Sequence, residues 1–174
     1  MAHRPELLEA WENLKHALLG PSSTLSPQLK EEVRRTLAQR TGCQFCASLG
    51  LPAPSHAIRQ ESLAVAFAEA VADDHAAVSE EQVNVLLDDF TVAQVVELLM
   101  WICFEYAGQM FGCLIGDGPA TAEEKEAFAN SVTGTPVLTL PLGRARGRSK
   151  RHRGSGTSRS IQKSSWSCAS IGLK

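Results

Sequence analysis

Two cysteines three residues apart, Cys43 and Cys46, stand in the run Arg40-Thr41-Gly42-Cys43-Gln44-Phe45-Cys46-Ala47-Ser48-Leu49-Gly50. At that spacing, at the start of a helical turn, two sulfurs can close a disulfide or share one thiolate. A helix N-terminus favours negative charge on a sulfur placed beside it, the condition for a nucleophilic thiol. The chemistry such a pair supports is peroxide reduction or disulfide exchange. The same residues can also be two inert, partly buried thiols or half of a zinc site. Zinc needs two further ligands, and the sequence offers no second Cys-x-x-Cys and no paired histidines.

Other titratable residues are read more modestly. Glu31 has Arg34 and Arg35 three and four residues on, the spacing of surface ion pairs along one helix. His56 follows Pro52 and Pro54 and reads as a loop histidine. His16 and His75 fall on helix surfaces. Cys103 and Cys113 read as small packing residues of a core, and Cys168 as an exposed thiol of a C-terminal tail. Trp11, Trp101, Phe104, Tyr106 and Phe111 read as core or subunit-interface aromatics.

The elements that must position these residues are helical throughout. Pro5-Glu6 opens a first helix carrying Leu7, Leu8, Trp11, Leu14 and Leu18, and Gly20-Pro21 stops it. Ser26-Pro27, a capping side chain followed by proline at the first helical position, opens a second with Leu29, Val33, Thr36 and Leu37 as its stripe. Thr41-Gly42 ends that helix, and the cysteine pair begins a third, closed by Gly50-Leu51-Pro52-Ala53-Pro54. A fourth spans about Ser62 to Ala72. Ser79 with Gln82, Thr91 with Gln94, and Thr121 with Glu124 each spell a capping box for a further helix. Period-two alternation is confined to Val137-Leu138-Thr139-Leu140. The expectation is an all-α bundle of about six to seven helices.

The long apolar stretch Val92–Ile115 carries Gln94, Glu97, Glu105, Gly108 and Gln109 on one side at 100° per residue. It therefore reads as an amphipathic helix bordering a core, not as a membrane span. The 174 residues suit one domain, and 44% hydrophobic residues fit a soluble globular chain. The net charge of −2 conceals a segregation. Residues 1–143 hold all 19 acidic residues against eight basic ones, a net of −11, while residues 144–174 hold nine basic residues and no acid. The expected organisation is a helical domain over 1–142 and a basic, disordered tail over 143–174. Such a tail can attract nucleic acid electrostatically, but it lacks interleaved aromatics, so nucleic acid is not the expected partner. Met1–Glu6 runs straight into an amphipathic helix with no apolar leader segment, so a cytoplasmic location is expected, with no membrane association.

The stretch from Leu29 to Cys46 resembles the core of the carboxymuconolactone decarboxylase and alkylhydroperoxidase D family. That core has a glutamate, a Cys-x-x-Cys pair twelve residues on, and a histidine four after the second cysteine. Leu63–Val71 and Phe90–Leu98 are similar to the family's later helices, so the resemblance covers roughly residues 5–118. It implies an alkylhydroperoxidase D-like helical subunit that assembles with its own copies, as a trimer or hexamer. It also implies that Cys46 attacks a hydroperoxide, Cys43 resolves the sulfenic acid into a disulfide, and Glu31 relays protons. A dithiol protein or small thiol would then reset the pair, with no metal, flavin or nucleotide cofactor.

The sequence departs from the family at one point: the histidine position is Gly50. Glu31 lies about 18 Å before Cys43 along a straight helix, so only a hairpin bent at Thr41-Gly42 brings it alongside position 50. His56 folding back, or a water, could take the missing place. Two further readings stand beside the thiol oxidoreductase. One is a non-catalytic oligomeric member that has lost the relay histidine. The other is a decarboxylase-like enzyme, although that branch does not rely on a thiol pair.

Overall fold

The computed structural model describes residues 3–132. These form seven α-helices: α1 (Pro5–Leu19), α2 (Pro27–Ala38), α3 (Gln44–Ser48), α4 (Arg59–Asp74), α5 (Glu80–Leu86), α6 (Val92–Ile115) and α7 (Ala122–Val132). A single 3-10 turn, His75–Ala77, follows α4. No strand occurs among the described residues, so the all-α expectation holds. The Val137–Leu140 run, Cys168 and the basic segment 143–174 lie outside the described residues.

The start signals act as their chemistry requires. Ser26 Oγ accepts the Leu29 N–H at 3.1 Å, with Pro27 at the first helical position. Complete capping boxes open α5 at Ser79 and Gln82 and α6 at Thr91 and Gln94. Thr121 and Glu124 exchange the same two bonds before α7, at 2.8 and 3.2 Å.

Helix α2 is the centre of the domain, packed on α4, α6 and α3, while α1 lies on α6. Nine of its twelve residues are buried. Leu29, Val33 and Leu37 join Ala64, Phe67 and Ala68 of α4 and Leu98, Trp101 and Ile102 of α6 in the apolar core. Trp11 of α1 stacks on Phe104 at 4.2 Å between centroids, which docks α1 against α6.

The same helix also buries Lys30, Glu31, Glu32 and Arg34. A charge taken from water must be met by partners, and each of these is. The Lys30 ammonium donates to Leu18 O, to Ser23 Oγ at 2.6 Å and to Glu97 Oε1. Glu97 also accepts from the Thr24 N–H at 2.8 Å and the Ser23 hydroxyl at 2.7 Å. Burial pushes the Glu97 carboxyl up, but the donors from Lys30, Thr24 and Ser23 prevail and hold it at about 2.

These inward charges reverse the expected orientation of α6. Its polar stripe faces the core: Glu97 meets Lys30, and Gln109 is 1% exposed. Val95, Leu98, Trp101, Ile102 and Phe104 share that inward side, while the apolar residues opposite it, Val92, Val96, Met100, Met110 and Leu114, are exposed. Cys103 and Cys113 are exposed as well, so neither is the core-packing residue expected from sequence. The reason is that α2 supplies buried charge on the side toward α6, and the polar side chains of α6 are its nearest partners.

Candidate thiol site

Gly42 adopts φ 77°, a left-handed turn that folds α3 back beside the end of α2. Cys43 is the cap residue of α3, and its sulfur accepts the Cys46 N–H at 3.3 Å. The two sulfurs lie 2.7 Å apart and both cysteines are free. Cys43 is 1% exposed, whereas Cys46 is half-buried. Cys43 sits tightly against α6: a Cβ added at Gly112 would stand 2.9 Å from its sulfur, so only glycine there permits the approach.

Two charged groups accompany the pair. Arg34 grips Glu31 with two parallel bonds of 2.7 Å and donates to Cys46 O at 3.3 Å. Its guanidinium also lies 4.7 Å from the Phe128 ring centroid, covered by α7. Across the site on α6, Glu105 accepts from Gln109 Nε2 at 3.2 Å. Gln109 in turn donates to Arg34 O at 3.2 Å and accepts from the Thr41 hydroxyl at 3.0 Å. This amide ties α2, the turn before the cysteines and α6 into one unit.

The electrostatics follow from this crowding. Burial, then the hydrogen bond with Cys43 and the charges of Cys43 and Glu105, push the Cys46 thiol up to about 12, against the opposing pull of Arg34. Burial raises the Glu105 carboxyl to about 7, with Arg34 and Gln109 opposing and Glu31 adding to the rise. Glu105 is thus poised to gain and lose a proton near neutral pH. Sequence reading placed it merely on the polar side of α6. Its signal was available, since an isolated acid inside a long apolar stretch is a costly residue to bury.

Glu31 is linked to the Cys46 carbonyl through Arg34, and it is a buried carboxylate and not a surface one. It accepts from Arg34 and also from Arg35 Nε at 2.8 Å. Position 50 does come alongside α2. There a Cβ would meet Arg35 Nε at 3.2 Å, and Gly50 has φ 154°. The Arg35 guanidinium therefore fills the space beside position 50.

His56 lies elsewhere. Its Nδ1 is 4.0 Å from Glu32 Oε2 and 3.9 Å from Glu61 Oε2, with no hydrogen bond or ion pair to either thiol among the described residues. Glu32 accepts from Arg35 at 2.9 Å and from the Ala53 N–H at 2.7 Å, which pins the loop that carries His56. A chain of charges, Glu32, Arg35, Glu31 and Arg34, runs from His56 to the Cys46 carbonyl. No cluster of three or more potential metal ligands occurs among the described residues. Comparison with known proteins finds no matching family model, curated protein or solved structure.

Proposed function

We propose that this chain is a thiol-dependent oxidoreductase that reduces hydroperoxides, or exchanges disulfides, through Cys43 and Cys46. The observation that carries the reading is the pair of sulfurs 2.7 Å apart, one of them on a half-buried residue, within the field of a carboxyl, Glu105, that titrates near 7. Cys46 is the sulfur a peroxide can reach. Glu105 takes its proton, the sulfur attacks a peroxide oxygen, and an S–O bond forms as the O–O bond breaks. The departing alkoxide receives the proton from Glu105. Cys43 then displaces the hydroxyl of the sulfenic acid as water, closing the disulfide. An external dithiol returns two electrons and two protons. Arg34 holds the Cys46 backbone and keeps Glu31 paired throughout.

A second reading, a family-like protein without catalysis, is favoured by two observations. Cys46 holds its proton up to about 12, and Arg35 fills the place beside Gly50. One experiment separates the two. Reduced protein is exposed briefly to stoichiometric cumene hydroperoxide and the modified cysteines are mapped by digestion and mass. The oxidoreductase loses two hydrogens at Cys43–Cys46 quickly, and Cys46→Ser abolishes that change. Unmodified thiols, or slow oxidation scattered over all the cysteines, select the second reading.

A further inference from the structure

The thiol pair has a third sulfur for a neighbour. Two consecutive residues of the turn into α3, Gly42 and Cys43, meet two consecutive residues of α6, Gly112 and Cys113, in crossed order. A Cβ added at Gly42 would stand 3.7 Å from Cys113 Sγ, and one added at Gly112 would stand 2.9 Å from Cys43 Sγ. Each sulfur therefore packs against a glycine of the opposite segment, and neither glycine carries a side chain to keep the sulfurs apart. With adjacent Cα atoms about 3.8 Å apart, Cys43 Sγ lies at most about 8 Å from the Cys113 Cα.

The three thiols differ in access. Cys43 is buried, Cys46 is half-buried and Cys113 is exposed. Arg34 holds the Cys46 carbonyl at 3.3 Å, and its guanidinium lies under the Phe128 ring, so the approach to Cys46 is crowded on that side. Thiol–disulfide exchange needs the attacking sulfur to reach a sulfur of the disulfide, and its rate depends on that access. A bridge closed between Cys43 and Cys46 offers a bulky reductant little to attack. Cys113, in the last turn of α6, takes no part in the apolar core and meets solvent directly.

We propose that Cys113 is a third redox cysteine, a relay thiol that draws the disulfide from Cys43–Cys46 to the surface and hands it to a dithiol reductant. Its place in a catalytic cycle rests on the oxidoreductase reading above. The Cys113 thiol loses its proton to solvent and attacks Cys43 Sγ. The Cys43–Cys46 bond breaks, and Cys46 leaves and takes up a proton. The new Cys43–Cys113 bridge is then opened by one thiol of an external dithiol, which bonds to Cys113 and frees Cys43. The second thiol of the reductant displaces Cys113, so both protein thiols are restored and the dithiol leaves as a disulfide. A disulfide takes Cα atoms about 4.4–6.8 Å apart. A small swing of the five-residue α3 about the left-handed Gly42 meets that span.

Two measurements on the full chain test this. In the first, Cys46→Ser is oxidised with diamide, a diazene that takes two electrons and two protons from a pair of thiols, and the bridge is mapped by digestion and mass. A Cys43–Cys113 bridge is expected, and adding Cys113→Ser should remove it. A protein left reduced, or one with Cys43 joined to Cys103 or Cys168, overturns the proposal. In the second, wild type oxidised with diamide is reduced by excess dithiothreitol and the return of thiols is timed. Cys113→Ser should slow that return roughly ten-fold or more, while Cys103→Ser, an exposed cysteine outside the cluster, should not. Equal rates in all three proteins overturn the relay. Peroxide enters neither measurement, so the two ideas fail separately. A chain that forms the bridge but ignores cumene hydroperoxide loses the oxidoreductase reading and keeps the third thiol. A chain that consumes peroxide and never forms the bridge does the reverse.

Discussion

At the scale of single residues, Glu105 and Gly50 carry the most consequence. Glu105, a carboxyl that titrates at about 7, acts through its charge on a thiol that keeps its proton to about 12. Thiolate formed by Cys46 alone should make peroxide oxidation climb roughly tenfold per pH unit through the alkaline range. Transfer to Glu105 adds an earlier rise that levels off above about pH 7. Stopped-flow oxidation of the pair should show that inflection in the wild type, and Glu105→Gln should remove it while leaving the alkaline limb. Gly50→His is expected to lower activity and not to restore a relay. Its backbone lies at φ 154°, where non-glycine residues cost about 1–3 kcal/mol, and its Cβ would press on Arg35. A melting temperature unchanged by Gly50→His, with a gain in peroxide turnover, would show that Arg35 yields the space. The Cys-x-x-Cys spacing and Glu31 were readable because they are local signals. The partners that tune them were not, because Arg35 meets Gly50, and Gln109 meets Arg34, only after the chain has turned back on itself.

At the scale of elements, caps and glycines were legible and burial was not. Most of the helices were foreseeable from a stop, a cap or a proline, and the two boxed starts at Ser79 and Thr91 form as the sequence spells them. Helix α4, expected over about Ser62 to Ala72 from its apolar spacing, runs Arg59–Asp74 with no side-chain cap at its start. The brief α3 followed from the turn at Gly42. The 3-10 turn at His75 was missed, although Asp74 caps it by accepting the Ala76 N–H at 3.0 Å. The facing of α6 was misread because amphipathicity fixes two faces without saying which is inside. That choice was made by α2, whose Lys30, Glu31 and Arg34 are buried charges needing partners. Close contact between elements gives its own test. Gly112→Ala puts a methyl 2.9 Å from the Cys43 sulfur. It should cost about 1–3 kcal/mol by overpacking and slow disulfide closure as α3 is pushed off α6. Chemical denaturation measures the first effect and the peroxide assay the second. An unaffected closure rate would mean that Cys43 does not need α6 to meet Cys46.

At the scale of the whole molecule, two carboxylates act on stability in opposite directions. Glu97 titrates at about 2 when folded, below its unfolded value, so it stabilises the fold above the ordinary glutamate range and loses that contribution as pH falls toward 2. Glu105 titrates at about 7 when folded, above its unfolded value. It therefore costs nothing below about pH 4, destabilises increasingly from there to about pH 7, and adds no further slope above that. Thermal melts across pH 3 to 9 should peak on the mildly acidic side, near about pH 5. Glu105→Gln should flatten the decline between about pH 5 and 7, and a decline that persists unchanged in that variant would assign it to other groups. The acidic excess of residues 1–143 acts in the same sense, since its self-repulsion also grows as carboxylates ionise.

The placement of charge in α2 also sets a timetable for synthesis. Lys30 finds Glu97 67 residues later, its carbonyl accepts from Trp101 71 residues later, and the Arg34 carbonyl waits 75 residues for Gln109. At about 5–20 residues per second, the ribosome takes roughly 4–15 s to deliver these partners. A nascent chain ending before α6 holds a central helix whose charges want water and whose leucines want cover. For those seconds the emerging N-terminal half cannot close by itself, and chaperones have a defined interval in which to hold it.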